Sequence, residues 1–295
     1  MSPKKNWAII SLVFATLLYG LYGVYSRLIG LDFGVFYQNF LRNLIVAVIL
    51  IFYLSLKKEW QRIKIKDIKW IIAWVFSGFI AIITIFIAFN KIPIGMALFI
   101  FYAGSIISGY LIGSLFFGEK LSRIKLFSII LTFIGLALIY SLNFEINKSK
   151  YLLFALIAGF STGIWNTLSK KVSNKYSHIQ LIFIDALLHV FLSLPLIFIW
   201  NEKLSFPKLS VPWVTILAFA LTQIVVVKLI IYGFRHLEAH LGTLVMPLEV
   251  FFGALFGFIF FKEVLSFYTI IGGLIIISGF ILPNLLINQK GKSSE

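Results

Sequence analysis

The sequence contains no cysteine, and only 11 of its 295 residues are acidic. The absence of cysteine excludes disulfides and thiolate metal sites, and cysteine usage therefore gives no information on the redox environment of the protein. Charged residues make up only 13% of the chain, whereas hydrophobic residues make up 60%. A water-soluble domain of this length needs more charge on its surface. The composition therefore predicts an all-α integral membrane protein.

Ten apolar runs alternate with short polar connections along the whole chain. A run of about 20 residues crosses the hydrocarbon core, because a helix rises 1.5 Å per residue and the core is ~30 Å thick. The first run follows two lysines and is too long for the apolar part of a cleavable signal, so we expect it to be retained. The predicted transmembrane helices lie at about 7–28, 35–56, 70–89, 93–117, 124–142, 152–172, 179–200, 212–233, 239–261 and 267–286.

The distribution of basic residues predicts the orientation of the chain. Most of the 26 Lys and Arg residues fall on one side of the ten spans, many of them in the longest connection, 57–69. The positive-inside rule then puts both termini in the cytoplasm, and we expect a prokaryotic cytoplasmic (inner) membrane. The net charge of +15 does not indicate a nucleic-acid partner, because the basic residues lie in short tracts between apolar runs. All 7 tryptophans except Trp165 lie at or near predicted span ends, where such rings anchor in the interface.

The two halves of the chain repeat each other weakly. The segment "GYLIGSLFFGEKLS" (109–122) aligns with "GALFGFIFFKEVLS" (253–266) at a constant offset of 144 residues. Five spans in each half give the halves opposite orientations in the membrane, a hallmark of secondary transporters with a substrate site near the midplane. The aligned pairs that carry this repeat are Gly109 with Gly253, Gly113 with Gly257, and Glu119 with Glu263.

The sequence resembles the EamA-type members of the drug/metabolite transporter superfamily. The resemblance rests on "LLYG" (17–20), on Arg42 in "FLRNLIVA" (40–47), on the endings "FFGEKLS" and "FFKEVLS", and on "IGLALI" (134–139) and "SGFIL" (278–282). It implies ten transmembrane helices as two inverted five-helix repeats, 1–145 and 146–295. It also implies a transporter of small metabolites, often amino acids or related amphiphiles, and not an enzyme. The proline typical of the family is present at Pro247, whereas the first half has Ala103.

Five ionisable residues fall inside predicted spans, where each costs about 2.5–3.5 kcal/mol or more unless it is paired or hydrated. Asp185 and Lys228 have similar depths, which makes an ion pair between them a hypothesis, and His189 lies one turn beyond Asp185. Glu249 is predicted near the midplane. The repeat aligns Glu249 with Ser105 and Lys228 with Thr84, which favours a ligand or ion role over a packing role. A buried salt-bridge cluster that fixes helix packing remains the alternative. The five residues are Arg42, Asp185, His189, Lys228 and Glu249.

Polar and aromatic residues from several spans complete the predicted site. Tyr19 and Tyr22 share one face of the first span, and an offset of 140 aligns them with Gly159 and Thr162. We predict substrate binding by Tyr19, Tyr22, Tyr102, Trp165, Asn166, Gln223, Lys228 and Glu249, and a proton or ion-pair role for Asp185, His189 and Glu249. We predict a structural role for Arg42 near the outer end of its span, and a helix kink at Pro247. Glu119 and Glu263 are predicted at the water boundary, also in a structural role. Close helix approach is predicted at Gly109, Gly113, Gly253 and Gly257.

The sequence thus predicts a secondary transporter that moves a small amphiphilic metabolite by alternating access. An amino acid or derivative is the expected substrate, export the expected direction, and proton coupling through Glu249 the expected energy source. An uncoupled facilitator, a channel and a lipid-modifying enzyme built on Asp185, His189 and Lys228 are the alternatives. We expect no cofactor and no metal, since "HLEAH" (236–240) is not a zinc motif. The expected partners are the lipid bilayer and the small-molecule substrate, and homodimerisation is left open.

Overall fold

The structure is a computed structural model, and it describes residues 3–29, 32–89, 91–92, 94–140 and 149–292. Within these ranges the chain forms eleven α-helices joined by short connections, and no strand. The helices are α1 (Pro3–Ile29), α2 (Val35–Lys57), α3 (Ile65–Phe89), α4 (Ile94–Phe117), α5 (Arg123–Tyr140), α6 (Ser149–Ser173), α7 (His178–Ile199), α8 (Val211–His236), α9 (Ala239–Val245), α10 (Leu248–Phe261) and α11 (Phe267–Lys292).

The prediction of an all-helical membrane protein is confirmed. Among the described residues, eight segments are long and apolar enough to cross a membrane: α1 to α4, α6 to α8, and α9 together with α10. The two other long helices are α5 and α11, and the apolar part of α11 is Phe267–Leu282. The helix ends lie within a few residues of the predicted spans, because hydropathy fixes where each apolar run stops.

The predicted span over 239–261 is confirmed as an apolar segment long enough to cross a membrane. The segment forms two helices, with α9 ending at Val245 and α10 beginning at Leu248. The kink predicted from Pro247 is confirmed as this break, because proline has no N–H to donate and its ring clashes with the preceding turn. At the aligned position of the first half, Ala103 lies inside the unbroken helix α4.

Helices of the first half pack mainly against helices of the second half. Helix α1 contacts α8 and α10, and α6 contacts α3 and α4. Helix α2 lies against α7, and α5 lies against α11. The core therefore forms between the two halves, and neither half buries its own apolar surface alone.

Glycines permit the closest of these contacts. A Cβ atom on Gly159 of α6 would overlap the carbonyl oxygen of Phe101 in α4. A Cβ atom on Gly135 of α5 would lie 2.6 Å from the carbonyl oxygen of Gly272 in α11. Small residues at such positions let helix backbones approach closely, which favours van der Waals packing in lipid.

One tryptophan departs from the interfacial placement that its position near a span end predicts. Trp74 is fully buried, and its ring stacks on that of Trp165 with 5.7 Å between centroids and an interplanar angle of 16°. Helix α3 begins at Ile65, five residues before the predicted start, so Trp74 lies deeper in the helix than expected. It belongs to the core beside the site described next.

Candidate functional site

Ionisable and aromatic side chains from five helices converge in the middle of the bundle. We define the central site by Tyr19 and Tyr22 of α1, Arg42 of α2, Trp165 of α6, Asp185 and His189 of α7, and Glu249 of α10. The side chains of Tyr19, Tyr22, Arg42 and Glu249 are half-buried, whereas those of Trp165, Asp185 and His189 are buried.

Arg42 carries a positive charge into this site. Its guanidinium carbon lies 4.4 Å from the centre of the Phe219 ring, a cation–π contact. It is close enough to Tyr19, Tyr22 and Asp185 to interact with them electrostatically. Arg42 belongs to none of the ion pairs between described residues. The Lys and Arg residues that do form such pairs are Arg27, Lys125, Lys170 and Lys175. The sequence predicts a structural role for Arg42 near the outer end of its span. The structure adds that the side chain points into the bundle, toward the central site.

A chain of hydrogen-bonded polar side chains holds the Arg42 guanidinium in place. The Asn39 oxygen accepts a hydrogen bond from Arg42 Nη2 at 2.9 Å, and Asn39 Nδ2 donates to Ser193 Oγ at 2.8 Å. Asn43 Nδ2 also donates to Asn39, and Gln223 Nε2 donates to Asn43 at 2.9 Å. Gln223, predicted to bind substrate, lies in this chain, and its Oε1 atom has no hydrogen-bond partner among the described residues. The sequence signal for it is the pair Asn39 and Asn43, one turn apart in an apolar span.

Asp185 and His189 form a buried acid–base pair on α7. The Trp165 indole N–H donates to Asp185 Oδ1 at 3.3 Å, and His189 Nε2 lies 3.9 Å from the same oxygen. The His189 ring packs edge-on against Phe79 with 5.5 Å between centroids. The i, i+4 spacing brings the two α7 residues together, and packing of α6 on α7 adds the indole.

Glu249 lies in the first turn of α10, directly after the Pro247 break. Ten residues from the start of α9 correspond to about 15 Å, half the thickness of the hydrocarbon core. Its carboxyl interacts with the hydroxyl of Tyr102, which is buried in α4. Tyr19 and Tyr22 interact electrostatically with both Glu249 and Arg42. Tyr22 packs edge-on against Phe219, the ring on which Arg42 stacks, and Gly20 of α1 packs against the Gly253 backbone, one turn after Glu249.

The structure does not bring Lys228 into the site. Lys228 is exposed on α8, and Asp185 lies beside Trp165 and His189 instead. The hypothesis of an Asp185–Lys228 ion pair is thus wrong for this structure. Equal depth does not imply contact, since the two side chains leave their helices in different directions.

Two further polar residues are buried near the site, and Asn166 was predicted to bind substrate. Asn166 of α6 is 1% exposed, and neither of its side-chain polar atoms has a hydrogen-bond partner among the described residues. The hydroxyl of Ser105 in α4 shares both properties. Such groups are costly in a low-dielectric core, which marks the α4–α6 contact as a place where polar atoms accumulate.

The contacts of α1 and α6 revise the alignment of the two halves. A Cβ on Gly20 would lie 2.9 Å from the Gly253 nitrogen, and a Cβ on Gly163 would overlap Ser105 and Ser108. The contact of Gly20 with α10 is equivalent to the contact of Gly163 with α4. Gly20 therefore aligns with Gly163 at an offset of 143, and the predicted offset of 140 is wrong. The corrected offset aligns Tyr22 with Trp165. It also aligns Arg27 with Lys170.

The corrected alignment relates two ion pairs at opposite ends of the bundle. The Glu119 end of the bundle is the one with connections 118–122, 174–177 and 237–238. The Glu263 end is the one with connections 32–34, 200–210 and 262–266. At the Glu119 end, Lys170 pairs with Glu119 at 2.8 Å. At the Glu263 end, Arg27 pairs with Glu263. The side chains of the first pair are 18% and 5% exposed, and those of the second are 54% and 44% exposed.

The Glu119 end carries the more buried of the two aligned ion pairs. Glu119 accepts hydrogen bonds from the backbone N–H groups of Ala239 and His240, so it caps the start of α9 as well as pairing with Lys170. Burial raises the pKa of Glu119, but the Lys170 ammonium and these N–H groups outweigh burial, and the net pKa is below its usual value. The stabilisation is therefore present above the usual carboxylate pKa and is lost as the pH falls through the lowered value.

The repeated glycine–glutamate motif produces the same turn in both halves. The N–H of Glu119 donates to the Gly113 carbonyl at 3.2 Å, and that of Glu263 donates to the Gly257 carbonyl at 3.3 Å. A left-handed residue precedes each glutamate, Gly118 in one turn and Lys262 in the other. A Cβ on Gly113 would lie 2.8 Å from the Glu119 carboxylate. Gly113 and Gly257 thus make room for these glutamates, and Gly113 also lies against α9, since its Cβ would be 2.9 Å from the His240 ring.

The other two glycines of the motif also lie against neighbouring helices. A Cβ on Gly109 of α4 would overlap the side chain of Thr243 in α9. Gly253 of α10 faces Gly20 of α1, whose own Cβ would lie 2.9 Å from the Gly253 nitrogen.

One cluster at the Glu119 end has the donor atoms of a metal site. Ligand atoms of Glu119, Glu238 and His240 lie within 4.8 Å of one another. However, Lys170 already pairs with Glu119, and Lys125 Nζ lies 2.5 Å from Glu238 and 3.4 Å from His240. The lysine ammonium groups supply the positive charge that a metal would bring, so the cluster fits an ion-pair network better than a cation site.

Helices long and apolar enough to cross a membrane surround a site of ionisable side chains, which is the arrangement expected of a membrane transporter. A family model for the EamA-like transporter family matches residues 6–141 and again 149–285. The chain belongs to the EamA-like transporter family, whose members are transporters and not enzymes. No curated protein matches the chain.

The fold is also found among solved structures. One crystal structure, described only as that of a protein, superimposes with a TM-score of 0.80 over 95% of this chain and 98% of its own. The two sequences are 16% identical, so the similarity concerns the fold alone.

Proposed function

We propose that the protein is a secondary transporter that moves a small amphiphilic metabolite, an amino acid or derivative, by alternating access between two inverted five-helix repeats. The observation that carries the proposal is the central site, where a guanidinium and a carboxyl that belong to no ion pair of the described residues lie half-buried beside aromatic side chains. A charge at this depth costs several kcal/mol unless a ligand, an ion or water compensates it, which makes a transported ligand the simplest role for it.

The equivalence of the two bundle ends supports alternating access. The Glu119–Lys170 and Arg27–Glu263 pairs occupy aligned positions, yet one is buried and the other exposed. In an inverted-repeat transporter the same contacts form in turn at each end, and the two conformations exchange the roles of the repeats. The buried pair is then the closed end of this conformation.

Proton coupling is the finer part of the proposal. Glu249 is half-buried, has no ion-pair partner among the described residues, and interacts with an uncharged hydroxyl, that of Tyr102. A carboxyl in such surroundings gains by binding a proton or a cationic group when the site closes. The Asp185–His189 pair is a second proton-binding group, held deeper by Trp165.

The proposal can be tested with purified protein in proteoliposomes. We expect a mixture of small metabolites, followed by mass spectrometry, to show accumulation of amino-acid-like compounds that depends on the protein and increases with a pH gradient. Glu249→Gln should abolish the effect of the gradient, whereas Lys228→Gln, in an exposed cation outside the site, should preserve it. Flux that persists unchanged with Glu249→Gln would contradict coupling through Glu249 and favour an uncoupled facilitator. Efflux from preloaded vesicles of known orientation tests the expected direction of export.

A further inference from the structure

We infer that Arg42 is the receptor for the carboxylate of a zwitterionic substrate, with Glu249 facing the substrate's ammonium group. The inference rests on the proposed function and names the charge pattern of its substrate. It replaces Lys228, which the sequence assigned to the substrate's carboxylate, with a residue of α2.

The first step is the state of the guanidinium. Arg42 is half-buried, and its Nε atom has no hydrogen-bond partner among the described residues. None of the described ion pairs includes it. A guanidinium with free donors fits a carboxylate in a bidentate manner, and no other common side chain presents that planar fork.

The second step is the rigidity of the group. Stacking on Phe219 at 4.4 Å fixes the plane of the guanidinium, and Asn39 fixes one of its terminal nitrogens at 2.9 Å. Asn39 is itself held by Ser193 of α7. A cation used only for packing would need no such orientation, whereas a receptor gains affinity from it because less conformational entropy is lost on binding.

The third step is the opposite charge. Tyr22 packs edge-on against Phe219, with 4.4 Å between ring centroids, so it lies beside the Arg42 stacking platform. Tyr19 packs against Tyr22 with 4.7 Å between centroids. Gly20, between these tyrosines on α1, packs against the Gly253 backbone, one turn after Glu249 on α10. The rings thus form an apolar surface near a cation and near a carboxylate, which suits a small zwitterion with an apolar side chain.

The test uses matched sets of probes that differ by one charge. Leucine, phenylalanine and tryptophan are each compared with the amine that lacks the carboxylate and the acid that lacks the amine. Binding is measured by thermal shift of the purified protein in detergent, and transport by competition in proteoliposomes. We expect the wild-type protein to bind at least one zwitterion about tenfold or more tightly than either of its singly charged analogues.

Variants then assign each charge. Arg42→Gln should weaken binding of the zwitterion at least about 30-fold, as truncation of one partner of a buried charge pair does, and should leave binding of the amine nearly unchanged. Arg42→Lys should recover only part of the affinity, because an ammonium lacks the planar fork. Glu249→Gln should weaken binding of the zwitterion and leave binding of the acid nearly unchanged. Lys228→Gln should change the binding of neither probe.

Two outcomes would overturn the inference. One is loss of all three probe types with Arg42→Gln in a variant that still elutes as a folded protein, because that pattern indicates a packing role. The other is a wild-type protein that binds none of the zwitterions, or binds the singly charged analogues equally well. If such a protein still accumulates other metabolites in proteoliposomes, the inference fails while the proposed transport function stands.

Discussion

At the scale of single residues, Arg42 shows how packing changes the meaning of a sequence position. Its place in the second span suggests a side chain that reaches the outer interface. In the structure it stacks on Phe219 of α8 and is held by Asn39. The difference arises from the rotation of α2 about its axis, which is set by contacts with α7 and α8. Depth along a helix could be predicted from the sequence, but direction could not.

Gly159 gives a prediction at the same scale. We expect Gly159→Ala to destabilise the protein by about 1–3 kcal/mol, because the new Cβ would overlap the Phe101 carbonyl and force α4 and α6 apart. Thermal unfolding in detergent measures the effect. Gly23→Ala is the matched control, since a Cβ at Gly23 has no atom within 4 Å, and it should be neutral or slightly stabilising. Equal melting temperatures for the two variants would show that the α4–α6 approach is not needed.

At the scale of helices, the two halves differ most at Pro247. The proline separates α9 from α10 and puts Glu249 in the first turn of α10. The aligned Ala103 leaves α4 continuous, and the aligned Ser105 is uncharged. The break and the charge thus occur together in one half only. This asymmetry indicates that the break serves the central site, since packing alone is satisfied by the unbroken helix of the other half.

The break can be tested by exchanging the two residues. We expect Pro247→Ala to leave stability unchanged or to raise it slightly, because a helix-breaking residue is removed, and to reduce transport because Glu249 moves. Ala103→Pro should instead cost about 3 kcal/mol or more, since it interrupts a continuous helix. Thermal unfolding and flux of a substrate identified in proteoliposomes are the two measurements. Wild-type flux in Pro247→Ala would show that the break is dispensable.

At the scale of the whole molecule, the two aligned ion pairs differ in burial. The Glu119 end combines an ion pair, two backbone caps on α9, and the pair of Lys125 with Glu238. A second group there joins Asp67 to Lys175 and Tyr176. At the Glu263 end the aligned pair, Arg27 with Glu263, is exposed to about half of its side-chain surface. Surface pairs of this kind contribute little, so the Arg27–Glu263 pair should be the easier of the two to break.

The absence of cysteine allows a direct test of movement between the ends. The double variant Glu119→Cys with Lys170→Cys, joined by a short bifunctional maleimide, should lose most of its transport, because that end can no longer open. The same cross-link between Arg27→Cys and Glu263→Cys should also stop transport under alternating access. Each uncross-linked double variant is its own control, and flux is measured before and after the reagent. A channel that conducts without alternation would keep its flux under both cross-links.

The sequence by itself determined the membrane class, the approximate helix ends, the break at Pro247 and the family. These features depend on local composition, on the missing N–H of proline and on short motifs, all of which are encoded within a few neighbouring residues. It also singled out Glu249, Asp185, His189 and the tyrosines of α1, because charge and aromatic alignment inside an apolar run are visible without coordinates.

Only the tertiary structure decided which of these groups meet. It moved Lys228 out of the site and Arg42 into it, and it made Gln223 part of the chain that ends at Arg42. It also assigned Gly113 and Gly257 to their own glutamates. The physical reason is that each helix is rotated and tilted by packing against helices far away in the sequence. A side chain's neighbours therefore depend on the whole bundle, whereas its depth depends only on its own span.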